Sequence, residues 1–195
     1  MLVGQLLAPA RTLPPAERVS YAAAFERHAG VDVFGSSDDE LLEAAASKGI
    51  TCNADLDRDA KLDLLMGLVV GPQLGRAAPS FICDYPASQA ALARLKPGFP
   101  RVAARFELYL EGLELANGFH ELVQPQEQRA RFMADLSARS ARGQAQRPLD
   151  EHLLAALAHG MPDCAGVALG FDRLVAIALG ADRLADAMAF SIDNA

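Results

Sequence analysis

The stretch "RFELYLEGLELANGFHEL", residues 105–122, alternates apolar and polar side chains on either side of the pair Glu111-Gly112. Such alternation predicts two half-buried strands, and an acidic residue followed by glycine is typical of a two-residue hairpin turn. Four glutamates lie within the stretch, and only one of them lies in the predicted turn. The sequence therefore predicts a β-hairpin with an unusual density of carboxylates.

Two of these glutamates are expected to lie close together. With the turn at residues 111–112, Tyr109 faces Glu114, and Glu107 lies diagonally opposite Glu114 on the same face. Two ionised carboxylates about 6 Å apart repel by roughly 3 kcal/mol at an effective dielectric constant of about 20. A proton or a cation must relieve that repulsion, and Mg²⁺ suits oxygen ligands that it shares with phosphate. The alternative is a solvated outer face of an edge hairpin.

The pair Asn117-Gly118 bears on a further glutamate. In a regular strand, Asn117 and Glu121 point to the opposite face from Glu114, and a β-bulge at Asn117-Gly118 changes that parity. With the bulge, Phe119 and Glu121 join the face of Glu114. A carboxylate, an aromatic ring and an amide in one concavity are suited to bind an ammonium group.

A second informative stretch is "GVALGFDRLVAIALG", residues 166–180. It predicts an apolar strand that passes through Gly170 into a helix with Asp172 and Arg173 in its first turn. Helix amino termini attract phosphate, and arginine suits phosphate geometry. The alternative is a surface ion pair between Asp172 and Arg173.

The remaining sequence predicts an α+β fold, because helical periodicity dominates residues 1–78 and strands dominate residues 79–195. We interpret the two parts as one domain, with an antiparallel sheet flanked by helices. A short strand is predicted at Ser80–Tyr85. One helix is predicted from about Val19 to Gly30. Four further helices are predicted within residues 36–49, 57–71, 126–143 and 149–162.

Composition limits the class of function. The 195 residues are 51% hydrophobic and 22% charged, with a formal net charge of −7, which argues against a wide basic surface for nucleic acid. The three cysteines are far apart and contain no CxxC pair, so a zinc site is not expected. Without a signal-like amino terminus or an apolar run of about 18 residues, we expect a cytoplasmic protein.

The two stretches together, in this order, resemble class II aminoacyl-tRNA synthetases of the lysyl branch. "GVALGFDRL" resembles the third signature motif of that class, and "ELANGFHEL" resembles its lysine-pocket strand. The similarity is closer still to the family of elongation factor P–lysine ligases, which modify a protein and not a tRNA. The stretches that carry this resemblance are "SYAAAFERHAGVD", "DYPASQAAL", residues 105–122, "RPLDEHLLAALAHGMPDCAGVALGFDRL" and the terminal "AFSIDNA".

The resemblance implies ATP and Mg²⁺ as cofactors. Glu107 and Glu114 resemble the acidic metal ligands beside ATP. Glu114 and Leu115 correspond to positions along the nucleotide, and Gly170 corresponds to a position that touches it. Arg173 resembles the catalytic arginine of the third motif at the terminal phosphates.

The resemblance also implies a substrate pocket and partners. Glu121 resembles the carboxylate that receives the amino group of the substrate, and Asn117 and Phe119 resemble residues that line the pocket. The implied substrates are ATP, lysine or (R)-β-lysine, and a lysine of elongation factor P. A homodimer is expected for full-length members, whereas tRNA and membrane are not expected as partners.

The sequence departs from the family where the first two signature motifs are expected, since no stretch before Pro79 matches them. The chain resembles the carboxyl-terminal part of such a ligase, and we expect it to be inactive alone. Arg101 and Arg105 are the candidates for a substitute phosphate contact. Two alternatives stay open, namely a catalytic fragment of a lysyl-tRNA synthetase and a non-catalytic domain for binding or oligomerisation.

Overall fold

A six-stranded sheet runs through the structure, which is a computed structural model that describes residues 2–7 and 12–192. The strands are β1 Glu17–Ser20, β2 Ser80–Pro86, β3 Leu95–Lys96, β4 Phe99–Leu110, β5 Leu113–His120 and β6 Ala165–Leu169. Their order is β1-β2-β4-β5-β6, and β3 pairs with β4 outside that order. β1 is parallel to β2, and the other strand pairs are antiparallel.

Seven α-helices surround this sheet in the described residues. They are α1 Leu2–Leu7, α2 Tyr21–Ala29, α3 Asp38–Ser47, α4 Arg58–Leu65, α5 Pro125–Ala141, α6 Glu151–His159 and α7 Phe171–Leu179. The predicted helices and the strand after residue 79 are all present within a few residues of their expected ends. The prediction of an α+β fold is confirmed.

The strand β1 was not predicted, and its parallel pairing makes the sheet mixed. Val19, which was assigned to a helix, instead faces Ile82 in the ladder between β1 and β2 and is buried. The helix begins at Tyr21, because the Ser20 side chain accepts a hydrogen bond from the Ala23 N–H at 3.1 Å and so caps its first turn. The strand β1 has only four residues and lies directly before a helix, so it is too short to show an alternating pattern of apolar and polar residues.

The next two helices begin at strong caps. Ser37 and Glu40 form a capping box at the start of α3, and the Asp57 side chain accepts from the Ala60 N–H at the start of α4. After α4 the chain widens into a π-type turn at Met66–Val70. These local signals explain why the helices were predictable from the sequence.

The strands β4 and β5 form the predicted hairpin. Leu110 faces Leu113, so the turn contains two residues. Glu111 has φ of 56° and Gly112 has φ of 79°, which are the left-handed values that a type I′ turn requires. The predicted Glu111-Gly112 turn is confirmed.

Apolar clusters cover both faces of the sheet because alternate side chains of β4 point to opposite sides. Tyr109 belongs to the first cluster, together with buried residues of α2, α3 and α4. Leu108 and Leu110 belong to the second cluster, together with residues of α1 and α7 such as Leu7 and Leu174. The sheet is therefore held between two groups of helices.

The strand β6 is the last strand of the sheet in the described part of the chain. Val167 on β6 is 65% exposed, and Phe171 at the start of α7 is 63% exposed. Within the described residues, no helix combines the length and the apolar character needed to cross a membrane. The terminal "AFSIDNA" reaches beyond residue 192, and the side chain of Arg101 also lies outside the described part.

Candidate active site

The pairing of β4 with β5 contains one irregularity, which lies at Leu115. Leu108 faces Ala116, and the next residue, Tyr109, faces Glu114, so Leu115 is an extra residue on β5. The Leu115 side chain is buried in the second apolar cluster. Because an extra residue inverts the strand parity, the side chains that follow it change face.

The predicted position of this bulge, at Asn117-Gly118, is wrong, since the ladder is regular there. Gly118 has a different reason to lack a side chain. A Cβ atom at this residue would stand 2.8 Å from the Phe106 ring and 2.7 Å from the Gly166 carbonyl oxygen. Close packing between neighbouring strands explains the glycine, and the bulge lies at a leucine that carries no such signal.

The parity change gathers the predicted side chains on one face of the sheet. Glu114 faces Tyr109, which lies two residues from Glu107 on β4, so the prediction that Glu107 and Glu114 share a face is confirmed. Asn117 faces Glu107 directly. We call this surface the acidic face, and its residues are Glu107, Glu114, Asn117, Phe119 and Glu121.

Glu107 is 7% exposed and accepts hydrogen bonds from three side chains. Arg105 Nη2 donates at 2.7 Å and Asn117 Nδ2 at 3.1 Å to Oε1, while the Tyr109 hydroxyl donates at 2.8 Å to Oε2. Burial, together with the charge on Glu107, raises the pKa of Tyr109 well above its usual range, so the phenol stays a donor. Arg105 therefore supplies the cation that the charge repulsion requires at Glu107.

Glu114 is the more accessible carboxylate, with a side chain that is 37% exposed. Burial raises the pKa of the Glu114 carboxyl above its usual range, and the charge on Glu107 acts in the same direction. Arg173 opposes that rise, and its Nη1 lies 3.7 Å from Glu114 Oε2. The same nitrogen donates to the Glu114 carbonyl oxygen at 2.7 Å, which fixes Arg173 beside the acidic face.

The turn between β6 and α7 brings Arg173 to this position. The Gly170 N–H donates to the Leu115 carbonyl oxygen at 2.8 Å, so the bulge is tied to the start of α7. Leu115 is 1% exposed, and any nucleotide contact there would be through its backbone. The strand-to-helix transition is present as expected, while the nucleotide roles of Leu115, Gly170 and Arg173 stay predictions.

Glu121 lies just after β5, and its carboxylate contacts Gly166. A Cβ atom at Gly166 would overlap Glu121 Oε1. Gly166 faces Phe119 across the ladder, so the carboxylate lies on the acidic face. The Glu121 backbone is held twice, because its N–H donates to the Cys164 carbonyl at 3.0 Å and its carbonyl accepts from Arg94 Nε at 2.6 Å.

The donor set bears on a possible Mg²⁺ site. Residues 2–7 and 12–192 contain no group of three or more His, Cys, Asp or Glu side chains that could hold a metal. Mg²⁺ does not need such a group when it is shared with phosphates, since one or two carboxylates then suffice. Glu114 is accessible, and Glu107 retains acceptor capacity beyond its three hydrogen bonds. The residues fit a Mg²⁺ ion that is shared with phosphate oxygens.

Several residues of this region were missed or misassigned from the sequence. Arg105, considered as a substitute phosphate contact, instead donates to Glu107 and to the Gln89 carbonyl oxygen at 2.8 Å. Its position two residues before Glu107 on one strand was the available signal for that ion pair. The contacts of Arg94 and Gly166 with Glu121 join distant segments, and no local pattern marks them.

The fold and the site define the class of protein. A strand-turn-helix element that carries Arg173 lies against a sheet whose acidic face contains Glu107, Glu114 and Glu121. The family model for class II tRNA synthetases (D, K and N) matches residues 5–194. The chain belongs to this family.

The relatives narrow the comparison further. The chain is 51% identical to the elongation factor P–(R)-β-lysine ligase of Salmonella arizonae, over 99% of this chain and 60% of that protein. The ligases of the same name from Salmonella dublin and Salmonella paratyphi B are 50% identical over the same shares. The chain thus spans about 60% of the length of these relatives.

Proposed function

We propose that this chain forms the part of a ligase that binds ATP phosphates and the amine of a lysine-like substrate. The observation that carries the proposal is that Glu114 on β5, Glu121 just after β5 and Arg173 on α7 meet at the acidic face. The names of the relatives support (R)-β-lysine as the amino acid and elongation factor P as the acceptor. A lysine of that factor would receive the acyl group.

The phosphate side of the proposed site consists of Glu107, Glu114 and Arg173. When Mg²⁺ is bound with ATP, the ion offsets negative charge on the phosphates. The Arg173 side chain is 48% exposed and its guanidinium is fixed by the Glu114 carbonyl, so it is available to the terminal phosphates. Preorganised charge of this kind stabilises pyrophosphate as it leaves. Arg173 is therefore the proposed catalytic residue.

The amine side consists of Glu121, Asn117 and Phe119. The Glu121 carboxylate lies against Gly166, whose missing side chain leaves room for the carboxylate on the acidic face, where it would receive an ammonium group. Asn117 is held by Glu107, which orients its amide towards the acidic face. Phe119 packs against small buried alanines and offers an apolar wall for the methylene chain of the substrate.

The proposed reaction needs no covalent enzyme nucleophile. A carboxylate oxygen of the amino acid attacks the α-phosphorus of ATP, and the bond to pyrophosphate breaks. The amine of the acceptor lysine then attacks the carbonyl carbon of the acyl-adenylate, loses a proton and releases AMP. The residues of this chain bind and orient the reactants, and Arg173 stabilises the departing charge.

We further propose that the chain alone turns over near background. No residue pair was found in the sequence that would hold the α-phosphate, and the loss of one such donor commonly costs about 10²-fold or more in rate. The exposed strand β6, with Val167 at 65% exposure, accords with a sheet that continues in the longer relatives. Lysine binding by the chain alone is expected to be millimolar at best.

The test is ATP–pyrophosphate exchange with (R)-β-lysine and lysine, on this chain and on the chain joined to the additional segment of its relatives. We expect exchange only from the longer protein, and Glu121→Gln and Arg173→Gln should each reduce it. Arg129→Gln serves as the control because Arg129 pairs with Glu151 on α6, and neither residue belongs to the acidic face. Robust exchange from the short chain would overturn the claim of an incomplete site.

Calorimetric titration with ATP and with lysine tests the alternative that the chain is a non-catalytic domain. If the longer protein binds neither ligand and shows no exchange, the ligase proposal fails and a binding or oligomerisation domain is the better account.

We also propose a cytoplasmic location and a protein acceptor in place of tRNA. The free thiols of Cys52, Cys83 and Cys164 accord with a reducing compartment, and the net charge of −7 accords with a protein acceptor.

A further inference from the structure

A small network of polar and charged side chains joins three segments of the chain beside Glu121. Arg94 Nε donates to the Glu121 carbonyl at 2.6 Å, and Arg94 Nη2 lies 2.8 Å from Asp163 Oδ1. His120 Nε2 contacts the same Asp163 oxygen. The hydrogen bond with His120 and the charge of Arg94 lower the pKa of Asp163, so this carboxylate is ionised at neutral pH. We call Arg94, His120 and Asp163 the Arg94 clasp.

Backbone hydrogen bonds follow the same path. The Arg94 N–H donates to the His120 carbonyl at 2.9 Å, and the Glu121 N–H donates to the Cys164 carbonyl at 3.0 Å. Ala93 and Glu121 form an isolated antiparallel bridge. The backbone of Glu121 is therefore fixed by the segment before β3 on one side and by the segment before β6 on the other.

The segment that carries Arg94 is itself held from α5. Arg131 Nη1 donates to the Ala91 carbonyl and to the Ala93 carbonyl, each at 2.8 Å. Ala91 has φ of 50°, a left-handed value that is uncommon for alanine. Arg131 thus stabilises an otherwise unfavourable bend directly before the Arg94 clasp.

We infer that Arg94 and Asp163 are positioning residues for amine recognition, because they hold the Glu121 backbone so that its carboxylate stays against Gly166. The inference rests on the proposed function, in which Glu121 binds an amino group of the substrate. Arg94 reaches two acceptors in different directions with one planar group, Nε to Glu121 and Nη2 to Asp163. A lysine ammonium at this residue cannot reproduce that fork. Small displacements of a binding group cost affinity and orientation together.

The test compares lysine with two analogues, norleucine, which lacks the side-chain amine, and 6-aminohexanoate, which lacks the α-amine. Binding to the ¹⁵N-labelled chain is followed by NMR, which measures millimolar affinities. If Glu121 binds one of the two amines of lysine, the wild-type chain should prefer lysine over the analogue that lacks that amine. Glu121→Gln should abolish this preference. Arg94→Gln and Asp163→Asn should weaken lysine binding about tenfold while leaving the affinity for that analogue unchanged.

Arg94→Lys should restore little of the preference, and Arg129→Gln should leave all three affinities unchanged. If Arg94→Gln weakens the binding of all three ligands equally, Arg94 has a merely structural role and the inference is overturned. The inference is also overturned if Arg94→Gln keeps the wild-type preference for lysine over the analogue. If the chain joined to the additional segment of its relatives and the Glu121→Gln variant of that longer protein bind the three ligands alike, both the proposed function and the role of the clasp in it fail. Faster hydrogen exchange at the Glu121 amide in Arg94→Gln is the expected companion result.

Discussion

The carboxylate of Glu121 occupies the space beside Gly166 in which any other amino acid would place its Cβ atom. Two residues that are far apart in the sequence therefore determine one feature of the acidic face. Gly166 faces Phe119 in the ladder between β5 and β6, and Glu121 reaches back over it from beyond the end of β5. A glycine in a strand often marks such a close approach.

Gly166→Ala is expected to displace the Glu121 carboxylate and to reduce the affinity for lysine about tenfold or more. The affinity for the analogue that lacks the amine bound by Glu121, either norleucine or 6-aminohexanoate, should fall less. NMR titration of the ¹⁵N-labelled chain measures the three affinities. Gly67→Ala is the control, because a Cβ atom at Gly67 meets nothing within 4 Å. Unchanged lysine binding in Gly166→Ala would remove Glu121 from the amine site.

The two glutamates of the hairpin should respond differently to loss of charge. Glu107→Gln leaves the partly buried Arg105 guanidinium without its carboxylate, and we expect a loss of about 1–3 kcal/mol in the free energy of unfolding. Glu114→Gln should be neutral or slightly stabilising, because burial and Glu107 already raise the pKa of the Glu114 carboxyl. Urea unfolding at neutral pH measures both variants. Equal destabilisation would contradict the separate roles assigned to the two carboxylates.

A buried lysine in the helical part predicts a pH dependence. Lys61 is 5% exposed and its Nζ lies 2.9 Å from Asp38 Oδ2. Hydrogen bonds from Lys61 and Arg58 lower the pKa of Asp38 below 3.8, so the ion pair stabilises the fold above that pH. The stabilisation should be lost as the pH falls from 3.8 through the lowered pKa.

Asp38→Asn is therefore expected to destabilise the protein at pH 7 and to reduce the acid-induced loss of stability below pH 3.8. Urea midpoints across the acid range measure this difference. Lys61→Met provides the comparison, since it replaces the buried cation by an apolar side chain and should cost less than Asp38→Asn. A wild-type acid slope in Asp38→Asn would show that the pair does not contribute.

The parts of the fold that the sequence predicted are those with local causes. The Glu111-Gly112 turn needs left-handed backbone at two adjacent residues, and the α3 helix begins at a capping box. These signals lie within a few residues of the structure that they specify. The common face of Glu107 and Glu114 follows directly from the turn, because two-residue hairpins fix the register.

The parts that were missed depend on contacts between distant segments. The bulge at Leu115 lies where the Leu115 carbonyl oxygen accepts a hydrogen bond from the Gly170 N–H, and Gly170 is 55 residues further along the chain. The strand β1 exists because β2 offers it a parallel partner, and the Arg94 clasp requires Asp163. Helical or strand periodicity contains no information about such partners.

Gly118 provides the sharpest test of the corrected reading of the hairpin. If the glycine were needed for a bulge, Gly118→Ala would alter the register of β5. The structure instead places the Phe106 ring 2.8 Å and the Gly166 carbonyl oxygen 2.7 Å from a Cβ atom at this residue, within a regular ladder. We therefore expect Gly118→Ala to cost about 1–3 kcal/mol in urea unfolding through overpacking, with the pairing retained. Cross-strand nuclear Overhauser effects between Leu108 and Ala116 should persist, whereas their loss would restore the bulge interpretation.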